Sequence, residues 1–491
     1  MTDDMTMDTD NQAPSSTRPN TVRQLLAWPV MAFLIIASTG SIAQLSAASE
    51  YGLGAITIYL IPAVLFMVPS ALISAELATG WEGGVFVWVR EAYGDRFGFQ
   101  AIWLQWIQSV ALYPSLLAFA AGSLAYALGK PNLANNGLYT GAVILIIFWA
   151  ATLVAFRGLN ASARMSSIGL TLGTIIPAIA LVVLMVIWLS RGNPSSVPLQ
   201  SSNIVPTWNG VASLVLIIGT FIAFAGLEVN AVHIRQMRDP GKNYPKGVAM
   251  ATVVIFTMYV LGTISIAVAV PTSSLDLNAG AAQAFVVYMQ NVGWAFGGKV
   301  LAGLLAFGAL AAAATWVIGP SRGLLLVGRQ GFLPRRLQEV NAQDVQVPIL
   351  LIQAVIVSLL SIAFVLIPSV SNAFWALQTI TVELYMLMYI LMFTAGWRLR
   401  RTKPEVKRSF RVPALPLFAT LGTLAAIGAI LIGFIPPAQL STTVSPATYA
   451  LILLVGILIL AVPPQIIYHF RRPDWVPAKP EEAGVATDTR G

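Results

Sequence analysis

The chain has 491 residues, 57% of them hydrophobic and 10% charged, with a mean hydropathy of +0.77; soluble domains carry roughly a quarter of their residues as charges, so this is a polytopic membrane protein. There is no cysteine and there are two histidines, His233 and His469, which excludes disulfides, thiolate metal sites and cysteine nucleophiles and makes a metal centre a poor expectation. The net charge of +8 comes from Lys and Arg scattered through short loops, the pattern of membrane topology rather than of nucleic-acid binding.

Residues 1 to 24 are polar, with Asp3, Asp4, Asp8 and Asp10 ahead of Pro14, Ser15 and Ser16, and predict a disordered tail. The first apolar run ends in Ser46, Ala47 and Ala48, which resemble a cleavage site. The run is too long for a signal peptide and no basic region opens the chain, so it reads as a retained helix. A hydropathy window of about 19 residues then predicts twelve spans. They fall near 28–48, 54–78, 98–128, 138–156, 165–190, 210–235, 248–271, 297–328, 348–368, 372–397, 415–435 and 446–470. The long third and eighth spans predict tilt or extension beyond the bilayer. With the amino terminus cytoplasmic, only Lys130, Arg191 and Lys299 fall outside, which leaves 25 of the 28 basic residues inside and places both termini in the cytoplasm.

Span one holds Ser38, Thr39, Gly40 and Ser41. Between spans two and three, Glu76 and the run from Trp81 to Val89 are too short to span and read as a re-entrant or surface helix. Span six is the most informative stretch. It carries Gly226 and Glu228 well inside its apolar run; counting ~1.5 Å per residue back from Arg238 puts Glu228 roughly 15 Å deep in a layer of ~30 Å. An ionisable group at that depth faces a cavity, a partner or a substrate, or else is satisfied by neighbouring hydroxyls and amides as a structural group. Span eight holds Trp316, suited either to covering a substrate or to simple packing. Span ten holds a second carboxylate, Glu383, among Thr379, Thr381 and Tyr385, with the same two readings open.

Gly interruptions in spans one and six, five helices apart, have two readings, close packing of membrane helices or an inverted-repeat transporter with broken helices, whose free N–H and C=O groups line the cavity; Glu228 beside Gly226 favours the second. The repeats would cover about 25–200 and 205–410 of a core at 25–410, followed by helices eleven and twelve at 411–470 and a cytoplasmic tail at 471–491. No phosphate loop is present, since the Gly-Lys pairs at Gly129, Gly241 and Gly298 lack its pattern, so transport must run on exchange or on ion gradients. Either the empty carrier crosses slowly and exchange follows, or Glu228 carries a proton with the substrate. A receptor that binds without transporting would use the same pocket. An enzyme would need a nucleophile with its base, for which His233 near the boundary is a poor candidate. No cofactor is called for, and an oligomeric state is not specified.

Four stretches carry a family resemblance: AELATGWEGGVFVWV at 75–89, AGLEVNAVHIRQMRDPGKNYP at 225–245, ATWVIGPSRG at 314–323 and FLP at 332–334. With the span lengths they cover nearly the whole chain. The sequence resembles the bacterial glutamate/GABA antiporter family of the amino acid/polyamine/organocation superfamily. That resemblance implies an all-α bundle of twelve helices in a five-plus-five inverted repeat, in the bacterial inner membrane. Its substrate would be an amino acid held between unwound parts of helices one and six. It makes Ser38, Thr39, Gly40 and Ser41, with Ala223, Phe224, Ala225, Gly226 and Leu227, the backbone cradle for the α-carboxylate and α-amino groups. Trp316 and Glu228 match the family's aromatic in helix eight and carboxylate in helix six. The chain departs from the family at Ala312, where glutamate/GABA antiporters carry an acidic residue four positions before the Trp. Neutral amino acids are therefore expected to be accepted at least as well as glutamate, with Glu383 as the candidate replacement acid. Some family members end in a His-bearing segment that closes the cytoplasmic vestibule. Residues 471–491 have no His and three prolines, and are expected to tether or solubilise rather than gate.

Overall fold

In the computed structural model, residues 26–158, 168–169, 171–231, 233–234, 237–438 and 445–476 are described. The tails at 1–24 and 477–491, and the basic residues Arg164 and Arg235, lie outside them, as does the side chain of Ser38. The described elements are helices, joined by loops and one isolated bridge between Leu26 and Met237.

Eleven helical stretches among the described residues are long and apolar enough to cross a membrane. The remaining predicted span is the first, which is broken. Helix one runs as Trp28–Thr39, stops at Gly40, resumes as Ile42–Gln44 and Leu45–Ala48, and turns through Ser49–Gly54 into helix two. Helix two (Ala55–Pro62, then Val68–Gly80) widens to a π turn at Ala63–Met67 just after Pro62, whose missing N–H loosens the ladder there.

Helices three (Asp95–Ala127), eight (Ala295–Val327) and ten (Val370–Thr402) have 33 residues each, about 50 Å at ~1.5 Å per residue, so they exceed the hydrocarbon layer as predicted for three and eight. Helix three packs against both of the others, and together they make the centre of the bundle. Helix five (Thr171–Ser190) reaches helix eight through two glycines: a Cβ on Gly173 would lie 2.1 Å from the Cα of Gly308, an approach no other residue permits. Helices four (Gly137–Ala155), seven (Pro240–Ala269), nine (Val347–Ser361), eleven (Leu415–Gly433) and twelve (Pro446–Ala461, continuing to His469) surround this centre. Helices nine and twelve present exposed rows, Leu351, Val355 and Leu359 on one and Ile452, Val455 and Ile459 on the other; apolar side chains in such rows suit lipid contact.

Among the described residues, two helices of ten or more residues lie outside the spans. Gly84–Tyr93 is the short helix anticipated after span two, and it buries Val85, Phe86, Trp88, Val89 and Ala92 along one face. Gly280–Val292 was not anticipated: at 13 residues it fails the length expected of a span, yet it buries Ala281, Phe285, Tyr288 and Met289 at helical spacing. Where the basic loops gather, Glu76 at the end of helix two accepts from Arg400 Nε at 2.8 Å and from the Val412 N–H at 2.7 Å, with Arg408 Nε 3.6 Å away. The carboxylate thereby fastens helix ten and the following loop to helix two. Residues 471–476 lie against the turn after helix eight, where Gln338 Nε2 donates to the Trp475 carbonyl at 2.8 Å and Arg335 donates to that of Asp474.

Candidate functional site

The break in helix one starts with residues that hold a helix poorly. Thr39 turns its hydroxyl back onto the Ile35 carbonyl at 2.8 Å, the Gly40 N–H closes the last turn on Ile36, and Ser41 is extended at φ −141°, ψ 122°. The break in helix six falls between Ile218–Ala223 and Leu227–Ala231, and its pivot is Gly226 at φ +98°. That left-handed conformation favours glycine for backbone reasons, since the nearest side-chain atoms to a Cβ there, on Tyr385 and Trp316, stand 3.9 and 4.0 Å off.

Tyrosines from other helices hold both breaks open. Tyr259 of helix seven accepts from the Ser41 N–H at 3.2 Å, and its hydroxyl lies 2.5 Å from the Thr39 carbonyl and 3.1 Å from that of Ala223, so its single proton serves one carbonyl at a time. Tyr59 stacks on it at 5.4 Å, and Phe224 meets both rings edge-on. Tyr389 of helix ten accepts from the Gly226 N–H at 2.8 Å and donates to Glu228 Oε2 at 2.5 Å. Tyr385 and Gln105 donate to Glu228 Oε1 at 2.5 and 3.1 Å. Glu228 is 2% exposed and accepts three hydrogen bonds, which ties helices three, six and ten together directly behind the break. None of the tyrosines Tyr59, Tyr259 and Tyr389 was legible as a site residue, because a tyrosine in an apolar run carries no mark of which loose backbone it will meet.

The two breaks face one cavity of about 180 Å³, smaller than the ~300 Å³ at which drug-sized pockets begin. Helix one lines it with Thr39, Gly40, Ser41 and Gln44, and helix six with Ile222, Ala225 and Gly226. Helix three adds Gln108 and Ser109, helix five Thr174, helix eight Ala312 and Trp316, and helix ten Tyr385. Among the described lining residues none is charged. Six of the candidate residues thus meet at the cavity: Thr39, Gly40, Ser41, Ala225, Gly226 and Trp316. Ala223, Phe224 and Leu227 support it from behind, and Glu228 reaches it through Tyr385.

Glu383 is placed elsewhere, and the expectation that it replaces the family acid at the substrate is corrected by helix geometry. At about 100° per residue, Tyr385 and Glu383 lie about 200° apart on helix ten, so a helix that turns Tyr385 to the cavity turns Glu383 away from it. Its carboxyl packs instead against Gly433 of helix eleven, where an added Cβ would stand 2.2 Å from Oε1.

The sequence profile of the amino acid permease family matches residues 25–458. The chain belongs to that family. The permease is 34% identical over 411 residues to an uncharacterized transporter of Legionella pneumophila, covering 82% of this chain and 88% of the other. It is 33% identical over 422 residues to the glutamate/gamma-aminobutyrate antiporter of Lactococcus lactis, covering 84% and 83%. A probable agmatine/putrescine antiporter of the same species is 25% identical over 354 residues, covering 71% and 74%. The permease is accordingly a multi-pass membrane transporter of amino acids.

Proposed function

We propose that the permease exchanges one amino acid for another across the bacterial inner membrane by alternating access, with both termini cytoplasmic and residues 25–410 forming two inverted repeats. The observation that carries this reading is the uncharged cavity between two helix breaks. The N–H groups that open a helix have no partner within it, and so receive a carboxylate; the carbonyls that close one receive an ammonium. Ser41 and Gly226 give their N–H groups to Tyr259 and Tyr389, so in this reading an arriving substrate displaces those hydroxyls to set its α-groups at Ser41, Ala225 and Gly226, while Trp316 covers it and its side chain extends toward Gln108, Ser109, Thr174 and Ala312. An anionic or cationic side chain would be desolvated there without a countercharge, which favours neutral amino acids. Relatives named as antiporters support exchange over uniport. Glu228 acts as the strut of the site and the group through which a proton would enter the cycle, since it touches both the break and a cavity-lining hydroxyl.

Counterflow in proteoliposomes tests the reading. Vesicles loaded with a neutral amino acid should accumulate the same labelled amino acid, and excess unlabelled glutamate outside should compete no better than neutral analogues. No counterflow with any amino acid would leave a binding protein rather than a carrier.

A further inference from the structure

Glu383 is 1% exposed, and neither of its carboxyl oxygens has a hydrogen-bond partner. On the same face of helix ten, four and eight residues earlier, Thr379 Oγ1 and Trp375 Nε1 are also buried, and Tyr449 of helix twelve turns its hydroxyl toward both of them and toward Glu383. Among the described residues no cation is paired with it. Helices eleven (Leu415–Gly433) and twelve (Pro446–Ala461) contain no Lys, Arg, His, Asp or Glu, and the basic residues of helix ten begin at Arg398, 15 residues or about 22 Å along the axis. Helix eleven also ends at Gly433, so the carboxyl sits at the negative end of a 19-residue helix dipole.

An ionised carboxylate in that position would be unpaired, desolvated and repelled, an arrangement interiors avoid by neutralising the group. A metal ion would need room and several oxygen ligands, whereas the carboxyl is already in close contact with the Gly433 backbone. One ligand needs no volume. We propose that Glu383 is a proton-binding site, separate from the substrate cavity, whose occupancy lets helix ten pack against helices eleven and twelve. The neutral acid offers one O–H donor and one carbonyl acceptor to a neighbourhood whose facing groups, Thr379, Trp375 and Tyr449, are themselves neutral. The substrate-facing side of the same helix carries Tyr385, so loss of the proton would disturb the helix that grips Glu228 and the helix-six break.

The experiment is infrared difference spectroscopy on the full-length permease in lipid vesicles, stepped from neutral to alkaline pH. The carbonyl stretch of a protonated carboxyl should be present at neutral pH, vanish on the alkaline step, be missing from Glu383→Gln, and persist in Glu228→Gln. In parallel, exchange by the wild type should fall about tenfold per pH unit once the proton leaves, while Glu383→Gln holds its neutral-pH rate. Spectra identical in the wild type and Glu383→Gln overturn the proposal. Should Glu383→Gln fail to accumulate, Tyr449→Phe keeps the carboxyl and alters its facing hydroxyl; the band must then shift, and an unmoved band overturns the proposal equally.

Discussion

Glu228 and Glu383 are the same residue type at nearly the same burial, and the protein treats them in opposite ways. Glu228 accepts from Tyr385, Tyr389 and Gln105 at the break of helix six, while Glu383, two positions before Tyr385 on helix ten, accepts from none. The first is held as an acceptor by donors from two helices; the second lies among neutral groups at the negative end of a helix. Depth in the membrane therefore does not decide what an intramembrane carboxylate does. The donors that reach it do, and these come from helices more than a hundred residues away in sequence.

The largest difference should come from truncating each acid. Glu228→Ala orphans two buried tyrosine donors and the half-buried Gln105 amide, at ~1 kcal/mol each, so about 3 kcal/mol of stability should be lost together with exchange. Glu383→Ala orphans no donor and should lose less, as read from thermal unfolding midpoints in matched detergent; equal losses would erase the contrast. Next comes the backbone that Glu228 supports. Gly226→Ala places a Cβ in the left-handed region at a cost of ~1–2 kcal/mol, and exchange should fall while the unfolding midpoint moves modestly. An active alanine variant would mean that the break is not the binding cradle.

The tyrosines sharpen the comparison further. Tyr389→Phe leaves the Gly226 N–H and one oxygen of Glu228 without a partner and should cost ~1–3 kcal/mol, whereas Tyr449→Phe removes a hydroxyl that faces Thr379, Trp375 and Glu383 without a close hydrogen bond and should cost less, ~0.5 kcal/mol. The smallest effect belongs to an exposed acid outside the bundle. Arg322, hydrogen-bonded to Asp344, holds that carboxyl below the usual carboxylate range, with Arg329 adding to the attraction. A lowered folded value means that its contribution is complete above the ordinary carboxylate range and is lost only as pH falls through the lowered one. Asp344→Asn should therefore leave the ratio of exchange rates at about pH 5 and about pH 8 unchanged; a changed ratio would make Asp344 a source of any acid response across that window.

Much of the fold was legible, for reasons that the carboxylates illustrate. Apolar runs report depth, and glycines beside small hydroxyl residues report where a helix stops, so the spans and both breaks could be placed before any coordinates. Azimuth is different. Span ten has polar groups on several faces, Thr379, Thr381, Glu383 and Tyr385, and nothing in the sequence says which face turns inward; Glu383 was offered to the substrate for its depth and as a replacement for the acid missing at Ala312. Tyr259 and Tyr389 were missed because their importance lies in which unwound backbone they reach across the bundle. Ala312, read from the resemblance as an absent charge, does line the cavity.

The most direct measurement is homologous exchange of a neutral amino acid in proteoliposomes at neutral pH, run side by side on the wild type, Glu228→Gln and Glu383→Gln at equal reconstituted amounts. Exchange is expected in the wild type, with strong loss in Glu228→Gln although the protein remains folded, and near-parental rates in Glu383→Gln. Exchange that survives Glu228→Gln and is abolished by Glu383→Gln would contradict that expectation.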